Sequence, residues 1–410
     1  MIVLAGFQKY YIIYLVFNLI SLFEDVIKRL DEGYTVKLIE EMVRINSVVG
    51  HEGELAQYVK DELDRLGLES ETQIVHPGRP NVYARFGERP GLRLNFNGHL
   101  DTIPVLDGWT TEPFTPVIKG DRLYGLGSCD MKAGLACTLN MMRAVVESGI
   151  EFNGELSFSA VIDEEALGDG ARAMLKTSYG KVDAVVLAEP YPGDDSKPIP
   201  LGIVGKILYD IHVKGRASHG FRPEEGINAI EQAGIILANL PELRLLEHPK
   251  FGRGNYSTLK IEGGYETYSV VVPANCRFEV NRLIVPGETV QGAISDMRRL
   301  VDTLGLEAEV EVNTKPPLYS SFEMDRDEPI LRVFDKVYEE VMGVKPIYQY
   351  SKSITDANTL AGEGGLPCLH LGPKRGDTHK PNEYVPISWL KPVSEMYTRI
   401  ALSFLGEGSP

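Results

Sequence analysis

Apolar residues recur at helical or strand-like spacing along most of the chain. Segments 34–45 and 54–66 place them three and four positions apart, which predicts two amphipathic helices. Further helices are predicted at 133–146, 329–342 and 388–404, and strands at 92–96, 156–162, 182–187 and 366–371. Because strands separated by helices are typical of a parallel sheet, we expect an α/β fold with a mixed, mainly parallel sheet flanked by helices.

A second pattern of elements begins after Pro200 and predicts a separate domain. Strands are predicted at 203–213, 256–261, 276–284 and 307–312 and helices at 227–240 and 290–304, with Pro316-Pro317 closing the block. Their βαββαβ order indicates a compact α+β domain inserted into the sheet domain. The predicted divisions are an N-terminal extension at 1–30, the sheet domain at 31–204 and 317–410, and the inserted domain at 205–316.

The N-terminal extension contains a mostly apolar stretch at 2–23. Its uninterrupted core at 10–17 is short, and the whole stretch only just reaches the length that spans a bilayer. Three interpretations stay open: a membrane anchor, a signal peptide, and an extension or peripheral helix without a function of its own. No small-x-small cleavage site precedes the charged segment 24–32, which argues against a signal peptide.

Composition and charge narrow the class of protein. The chain has 410 residues, of which 43% are hydrophobic and 24% charged, as in a globular protein. Its net charge of −16 repels phosphate backbones, so nucleic acid is not an expected partner. The cysteines at 129, 137, 276 and 368 form no C-x-x-C pair, which predicts a reducing compartment. We therefore expect a cytoplasmic location, unless the N-terminal stretch anchors the chain to a membrane.

Side chains that bind metals follow the predicted strands at their carboxyl ends. They are His99 and Asp101, Asp130 in a Gly-rich loop, Glu164 and Glu165, Glu189, and His379. Taken alone, each of these residues more often lies in an ordinary turn or at the start of a helix and binds no metal. Ligands bind outside the carboxyl ends of strands in open parallel sheets, so we expect these side chains at one rim. Two imidazoles and three carboxylates suit a pair of divalent metal ions, with zinc favoured over magnesium.

Two neighbouring carboxylates suggest further roles at such a centre. Asp101, two residues after His99, is positioned to hold that imidazole by its second ring nitrogen. One carboxylate must stay unligated as a base for the activated water, and the adjacent Glu164 and Glu165 offer a base beside a ligand.

These segments resemble the dizinc amidohydrolase family of acetylornithine deacetylase, succinyl-diaminopimelate desuccinylase, aminoacylase and glutamate carboxypeptidase. The matching stretches occur in family order at 98–104, 125–134, 163–170, 188–190, 215–219 and 371–383. The resemblance implies two zinc ions, for which cobalt can substitute. The implied ligands are Asp130, which bridges both ions, His99 and Glu189 at one ion, and Glu165 and His379 at the other. It also implies that Glu164 is the general base and that Asp101 supports His99.

The resemblance assigns roles to the inserted domain as well, as the family's lid and dimerisation domain. His219 matches a histidine that reaches the active site of the partner subunit and stabilises the tetrahedral oxyanion. Arg282 matches a lid arginine that binds a substrate carboxylate. Arg375 replaces a smaller polar residue of the family and is a second candidate for that carboxylate. The resemblance therefore implies a homodimer.

The predicted activity is hydrolysis of the amide bond of N-acyl amino acids. Val270 and Ile354 stand where the desuccinylases carry Asn and Thr, so the acyl group stays open. One alternative is a metallo-carboxypeptidase or dipeptidase with the same dizinc centre, which only substrate trials would separate from a deacylase. The other is a non-catalytic binding protein on this fold. That alternative predicts the loss of a ligand or of the base, and none is lost.

Overall fold

A computed structural model describes residues 23–406, except 152, 268 and the side chains of 88 and 89. The apolar stretch predicted at 2–23 lies outside these residues, apart from Phe23. Residues 23–28 are helical, and Glu24 pairs with Arg399 at 3.2 Å. Among the described helices, none combines the length and the apolar character needed to cross a membrane.

The described elements are nine α-helices and eighteen strands, besides the short helical stretch at 23–28 and five single turns of 3-10 or π-helix. The helices are α1 (Glu32–Arg44), α2 (Gly53–Arg65), α3 (Ala133–Ser148), α4 (Asp169–Met174), α5 (Ala229–Asn239), α6 (Val290–Thr303), α7 (Pro329–Met342), α8 (Ala357–Leu360) and α9 (Leu390–Gly406). The strands are β1 (Glu69–His76), β2 (Arg79–Phe86), β3 (Glu88–His99), β4 (Val117–Lys119), β5 (Arg122–Tyr124), β6 (Asn153–Val161), β7 (Ala184–Leu187), β8 (Ile199–Ile203), β9 (Gly205–Lys214), β10 (Glu247–His248), β11 (Gly252–Arg253), β12 (Asn255–Gly263), β13 (Asn275–Ile284), β14 (Glu309–Tyr319), β15 (Phe322–Glu323), β16 (Tyr348–Ser351), β17 (Cys368–His370) and β18 (Tyr384–Pro386).

The chain divides into two compact units. The first contains the described residues up to Leu201, together with Met324–Gln349 and the chain from Gly364 onwards. The second contains Gly202–Glu323 and Tyr350–Glu363. The sequence analysis assigned 350–363 to the sheet domain instead. Its Asn358 amide donates to the carbonyl oxygens of Val204 at 2.9 Å and Ser320 at 2.8 Å, and these long-range bonds tie the segment to the second unit.

A six-stranded mixed sheet lies at the centre of the first unit, in the order β1-β2-β6-β3-β7-β17. Strands β6, β3, β7 and β17 are parallel, and β2 runs antiparallel to both β1 and β6. The mixed, mainly parallel sheet is thus confirmed. The β1–β2 hairpin was not predicted, because β1 is an edge strand whose positions are exposed or half-buried and show no apolar alternation.

Helices pack against this sheet and fix the ends of its strands. Helix α3 is buried over almost its whole length, and α9 packs against α3 and α7. Leu94 and Phe96 of β3 are fully buried. Burying each such side chain stabilises the fold by about 1.5–3 kcal/mol. The strand ends that carry the candidate ligands therefore rest on a close-packed core.

The second unit is an antiparallel sheet in the order β12-β13-β9-β14, covered by α5 and α6. Its elements follow the predicted βαββαβ order. One boundary was wrong: Pro316-Pro317 does not close the block but lies inside β14, which continues to Tyr319. Strand β14 is at the sheet edge, where a residue without a backbone N–H is tolerated.

Candidate active site

The carboxyl ends of β3, β6 and β7 and two loops bring the candidate ligands together in the first unit. Nε2 of His99, the last residue of β3, lies 3.3 Å from Oδ1 of Asp130 and 3.8 Å from Oε1 of Glu189. Nε2 of His379 lies 2.8 Å from Oε1 of Glu165 and 3.6 Å from Oδ2 of Asp130. Asp130 therefore presents one carboxylate oxygen to each histidine.

This arrangement forms two overlapping ligand groups that fit a dinuclear metal centre. One group is His99, Asp130 and Glu189, the other is Asp130, Glu165 and His379, and the ligand atoms of each lie within 4.8 Å of one another. Each group offers one imidazole nitrogen and two carboxylates, a donor set that suits zinc and other divalent transition metals. A shared carboxylate can bridge two ions.

The ring of His99 is oriented by a backbone group rather than by the predicted carboxylate. Its Nδ1 donates to the main-chain carbonyl of Asp101 at 2.8 Å, while the Asp101 carboxylate lies 3.8 Å away. That carboxylate accepts the N–H groups of Glu164 at 3.2 Å and Glu165 at 2.9 Å. Asp101 thus holds the turn that carries Glu164 and Glu165, and the bond to its carbonyl leaves Nε2 of His99 as the nitrogen that can accept a metal ion.

The electrostatics of the cluster are those of a cation site. Burial, and then the charge of Asp130, raise the pKa of Glu189 to about 7. Burial acts to raise the pKa of Asp130 too, but the hydrogen bond from His99 and the positive charges of His99, Lys197 and His379 together outweigh it and lower the pKa to about 2. Burial opposes protonation of His99, yet Asp130 and the nearby carboxylates raise its pKa well above the usual value. Divalent cations would relieve this crowding of negative charge.

Comparison with known proteins agrees with this geometry. The profile of Peptidase family M20/M25/M40 matches residues 95–403. The chain belongs to this family. This M20 chain is therefore a hydrolase that acts on amide bonds, as the sequence analysis predicted, and the family resemblance stated there is confirmed.

Two curated relatives of this M20 chain carry different names. It is 27% identical over 391 residues to N-formyl-4-amino-5-aminomethyl-2-methylpyrimidine deformylase of Bacillus subtilis, covering 86% of this chain and 88% of the relative. It is 25% identical over 383 residues to succinyl-diaminopimelate desuccinylase of Rickettsia akari, covering 90% and 100%. The crystal structure of aminopeptidase PepT from Bacillus cereus matches with a TM-score of 0.74 and 22% identity, covering 92% and 99%. This structural likeness shows the shared fold.

The residue that supports Asp130 was not predicted from the sequence. The Glu383 carboxylate is 2% exposed and accepts the backbone N–H groups of Gly127, Cys129 and Asp130 at 2.9, 3.0 and 2.9 Å. Only glycine fits at Gly127 of this loop, because its φ is +72° and a Cβ there would lie 2.4 Å from the Thr102 methyl group. Glu383 is the last residue of the matching stretch 371–383. Its role was not predicted, because its hydrogen-bond partners lie more than 250 residues away in sequence.

A second missed support lies on the unpredicted hairpin. Arg79 of β2 donates to both carboxylate oxygens of Glu52 at 2.7 and 2.6 Å and to Oδ1 of Asp163 at 2.7 Å. Asp163 has φ of +73°, which is unfavourable for a residue with a side chain. Arg79 therefore stabilises the strained turn that leads directly into Glu164 and Glu165.

Arg282 does not have the surroundings of a substrate-binding residue, and that prediction is corrected. It is fully buried in the second unit, pairs with Glu288 at 2.6 Å and donates to the Arg244 carbonyl at 2.8 Å. Strand β13 alternates buried and half-buried positions, and Arg282 shares the buried side with Phe278 and Val280. Its guanidinium holds the elements of the second unit together and has no exposed surface.

The other two predicted residues are exposed. His219, in the second unit, accepts the Phe221 N–H on Nδ1 at 3.1 Å, which leaves Nε2 as the nitrogen that carries a proton. Its action on the active site of a partner subunit stays a prediction. Arg375, in the first unit, lies on the loop between β17 and His379, and its Nε donates to the Thr378 hydroxyl.

Proposed function

We propose that this chain hydrolyses the amide bond of N-acyl amino acids with the help of two divalent metal ions, zinc in the first place and cobalt as a substitute. The observation that carries the proposal is the placement of Asp130. It faces His99 and Glu189 with one oxygen and His379 with the other, beside Glu165. A metal pair held in this way polarises the amide carbonyl and acidifies water when bound.

Glu164 is the proposed general base. Its side chain lies with His99 and Glu165 in a third overlapping group, and its backbone N–H is held by Asp101. It is the carboxylate of the cluster that neither of the two main ligand groups requires. Glu164 would accept a proton from the attacking water and return it to the leaving amine. His219 of a second copy would donate from Nε2 to the developing oxyanion.

The second unit supports a proposed homodimer. Strand β12 lies at the sheet edge and is exposed along almost its whole length, including Leu259 at 59% and Ile261 at 50%. Ile230 and Ile235 of α5 are also exposed. An edge strand with unpaired backbone groups and apolar side chains is a surface on which a second copy can extend the sheet.

We also propose a cytoplasmic location. All four cysteines are buried and none is in a disulfide, as expected of a chain that folds under reducing conditions.

The test is amine release by the full-length chain loaded with Zn²⁺ or Co²⁺. Substrates are N-acetyl, N-formyl and N-succinyl amino acids and a matched set of dipeptides. The matched variant Glu164→Gln keeps both main ligand groups and should bind two metal ions while losing about 10²–10⁴-fold in kcat. Preference for dipeptides would move the protein to the peptidase alternative. Failure of the metal-loaded chain on every amide would overturn the proposal.

A further inference from the structure

Two positively charged side chains beside the metal-ligand cluster form no ion pair within the described part of the chain. The Lys197 ammonium lies 3.7 Å from the ring centre of Tyr191, directly after the loop that carries Glu189. The exposed guanidinium of Arg375 bonds to the Thr378 hydroxyl through Nε. Arg375 was a candidate from the sequence, whereas Lys197 had no predicted role.

Backbone hydrogen bonds bring the loops of these two residues together. The Gly193 N–H donates to the Lys197 carbonyl at 3.2 Å, so the chain folds back after Tyr191. The Gly372 N–H donates to the Tyr191 carbonyl at 3.2 Å, which joins the loop of the arginine to the loop of the lysine. Tyr191 is 1% exposed, and its ring meets that of His370 at 4.9 Å. The tyrosine ring is therefore a fixed platform that positions the ammonium by a cation–π contact.

The charges around Lys197 indicate which kind of ligand fits beside it. Burial lowers the pKa of Lys197 and the charge of Arg375 lowers it further, while Asp130 and Glu189 act in the opposite direction. Two divalent ions would neutralise the carboxylates of the ligand groups and of Glu164. The two cations would then lack a counter-ion and would repel each other. Positive charges held together without a partner favour an anionic ligand.

Resting on the proposed function, we propose that Lys197 and Arg375 together bind a carboxylate of the substrate beside the metal centre. An ammonium fixed on an aromatic ring and a planar guanidinium can contact the two oxygens of one carboxylate. The pair would select charged substrates over neutral ones of the same shape. The carboxylate has two possible sources: the amino-acid part of the substrate, or the far end of a dicarboxylic acyl group such as succinyl.

The experiment compares charged and neutral substrates in the metal-loaded full-length protein. The best N-acyl amino acid is paired with its carboxamide, and its N-succinyl form with its N-butanoyl form. The variant Lys197→Met keeps the length of the side chain but loses the charge, and Lys197→Arg retains the charge. The matched control is Lys374→Met, because Lys374 lies next to Arg375 but is already paired with Asp194 at 2.8 Å.

We expect Lys197→Met to raise KM about 10- to 100-fold for the charged member of one pair, and less than about 3-fold for its neutral partner. Lys197→Arg should recover most of this loss, and Lys374→Met should match the wild type. The pair that responds identifies the source of the carboxylate. An equal loss for charged and neutral substrates, or no loss for either, would overturn the proposed site.

A binding measurement separates this proposal from the proposed function. Succinate and its neutral counterpart succinamide are titrated calorimetrically into the metal-loaded wild type and Lys197→Met. Succinate binding that weakens about 10-fold or more in the variant supports the anion site even if no substrate is hydrolysed. If the wild type hydrolyses amides but both proteins bind succinate equally, the function stands and the anion site does not.

Discussion

The Glu383 carboxylate accepts the backbone N–H of Asp130, the shared residue of the two ligand groups, at 2.9 Å. The same segment carries His379, four residues earlier, so 379–383 contains one candidate ligand and supports another. The position of a carboxylate that bridges two metal ions depends on its own loop and also on the residues that hydrogen-bond to that loop. Glu383 is therefore a positioning residue of the candidate metal centre.

Glu383→Gln should lower metal affinity about 10- to 100-fold. Both carboxylate oxygens accept backbone N–H groups, so an amide NH₂ must face at least one donor. Competition with a fluorescent zinc chelator measures the affinity. Gln349→Glu, a charge change on another strand of the first unit, is the control. Unchanged zinc affinity in Glu383→Gln would contradict the assigned role.

Arg79→Lys should lower kcat about 10-fold or more with a smaller effect on KM, because one ammonium cannot reproduce three hydrogen bonds to Glu52 and Asp163. The turn before Glu164 would then be less well fixed. Steady-state kinetics with the metal-loaded protein test this expectation. The control is Arg85→Lys, on the same strand but paired with the exposed Glu71. Equal kcat in both variants would show that Arg79 does not help to position Glu164.

Arg282→Met should lower the free energy of unfolding by about 3–5 kcal/mol, because it leaves the carboxylate of Glu288 without its buried partner. Urea titration monitored by circular dichroism measures the change. Arg253→Met, on the exposed strand β11 of the same unit, should have little effect. A selective rise in KM at unchanged stability would restore the role first predicted for Arg282.

The stability of the metal-free protein should fall as pH decreases below about 6.5, in part because of His370. Burial lowers the pKa of His370 from 6.5 to about 3. Between these values the unfolded chain binds a proton that the folded chain does not, so acid favours unfolding. His370→Phe keeps a ring against Tyr191 and should make urea stability less steep between about pH 6.5 and 4. An unchanged slope would contradict this assignment.

Ile261→Lys should convert the proposed dimer to a monomer, because a lysine on the exposed edge strand β12 opposes extension of the sheet. Light scattering after size exclusion gives the mass. The control is Ile74→Lys on β1, the edge strand of the first unit, where the isoleucine is 67% exposed. A wild-type chain that is monomeric at all concentrations would rule out the dimer itself.

Local sequence patterns determined the elements and the strand ends on which the chemistry lies. The 3.6- and 2-residue periods report which side of an element is buried, so β3, β6, β7 and the βαββαβ order of the second unit follow from the sequence. His99, Glu165 and Glu189 directly follow apolar strands, and parallel strand ends share one rim. The alternation of β13 puts Arg282 on the buried side of that strand, which was not predicted from the sequence, where family resemblance suggested a substrate contact.

Only the tertiary structure decided which distant groups meet. Glu383 reaches the Asp130 loop across more than 250 residues, and Lys197 reaches the ring of Tyr191 only because the loop folds back. At Asp101, the backbone turn decided that the carbonyl rather than the carboxylate bonds His99. The spacing of apolar residues along the chain reports only which side of each helix or strand is buried. Hydrogen bonds and ion pairs require their atoms to be placed to within a fraction of an ångström. This precision is reached only once the whole core is packed.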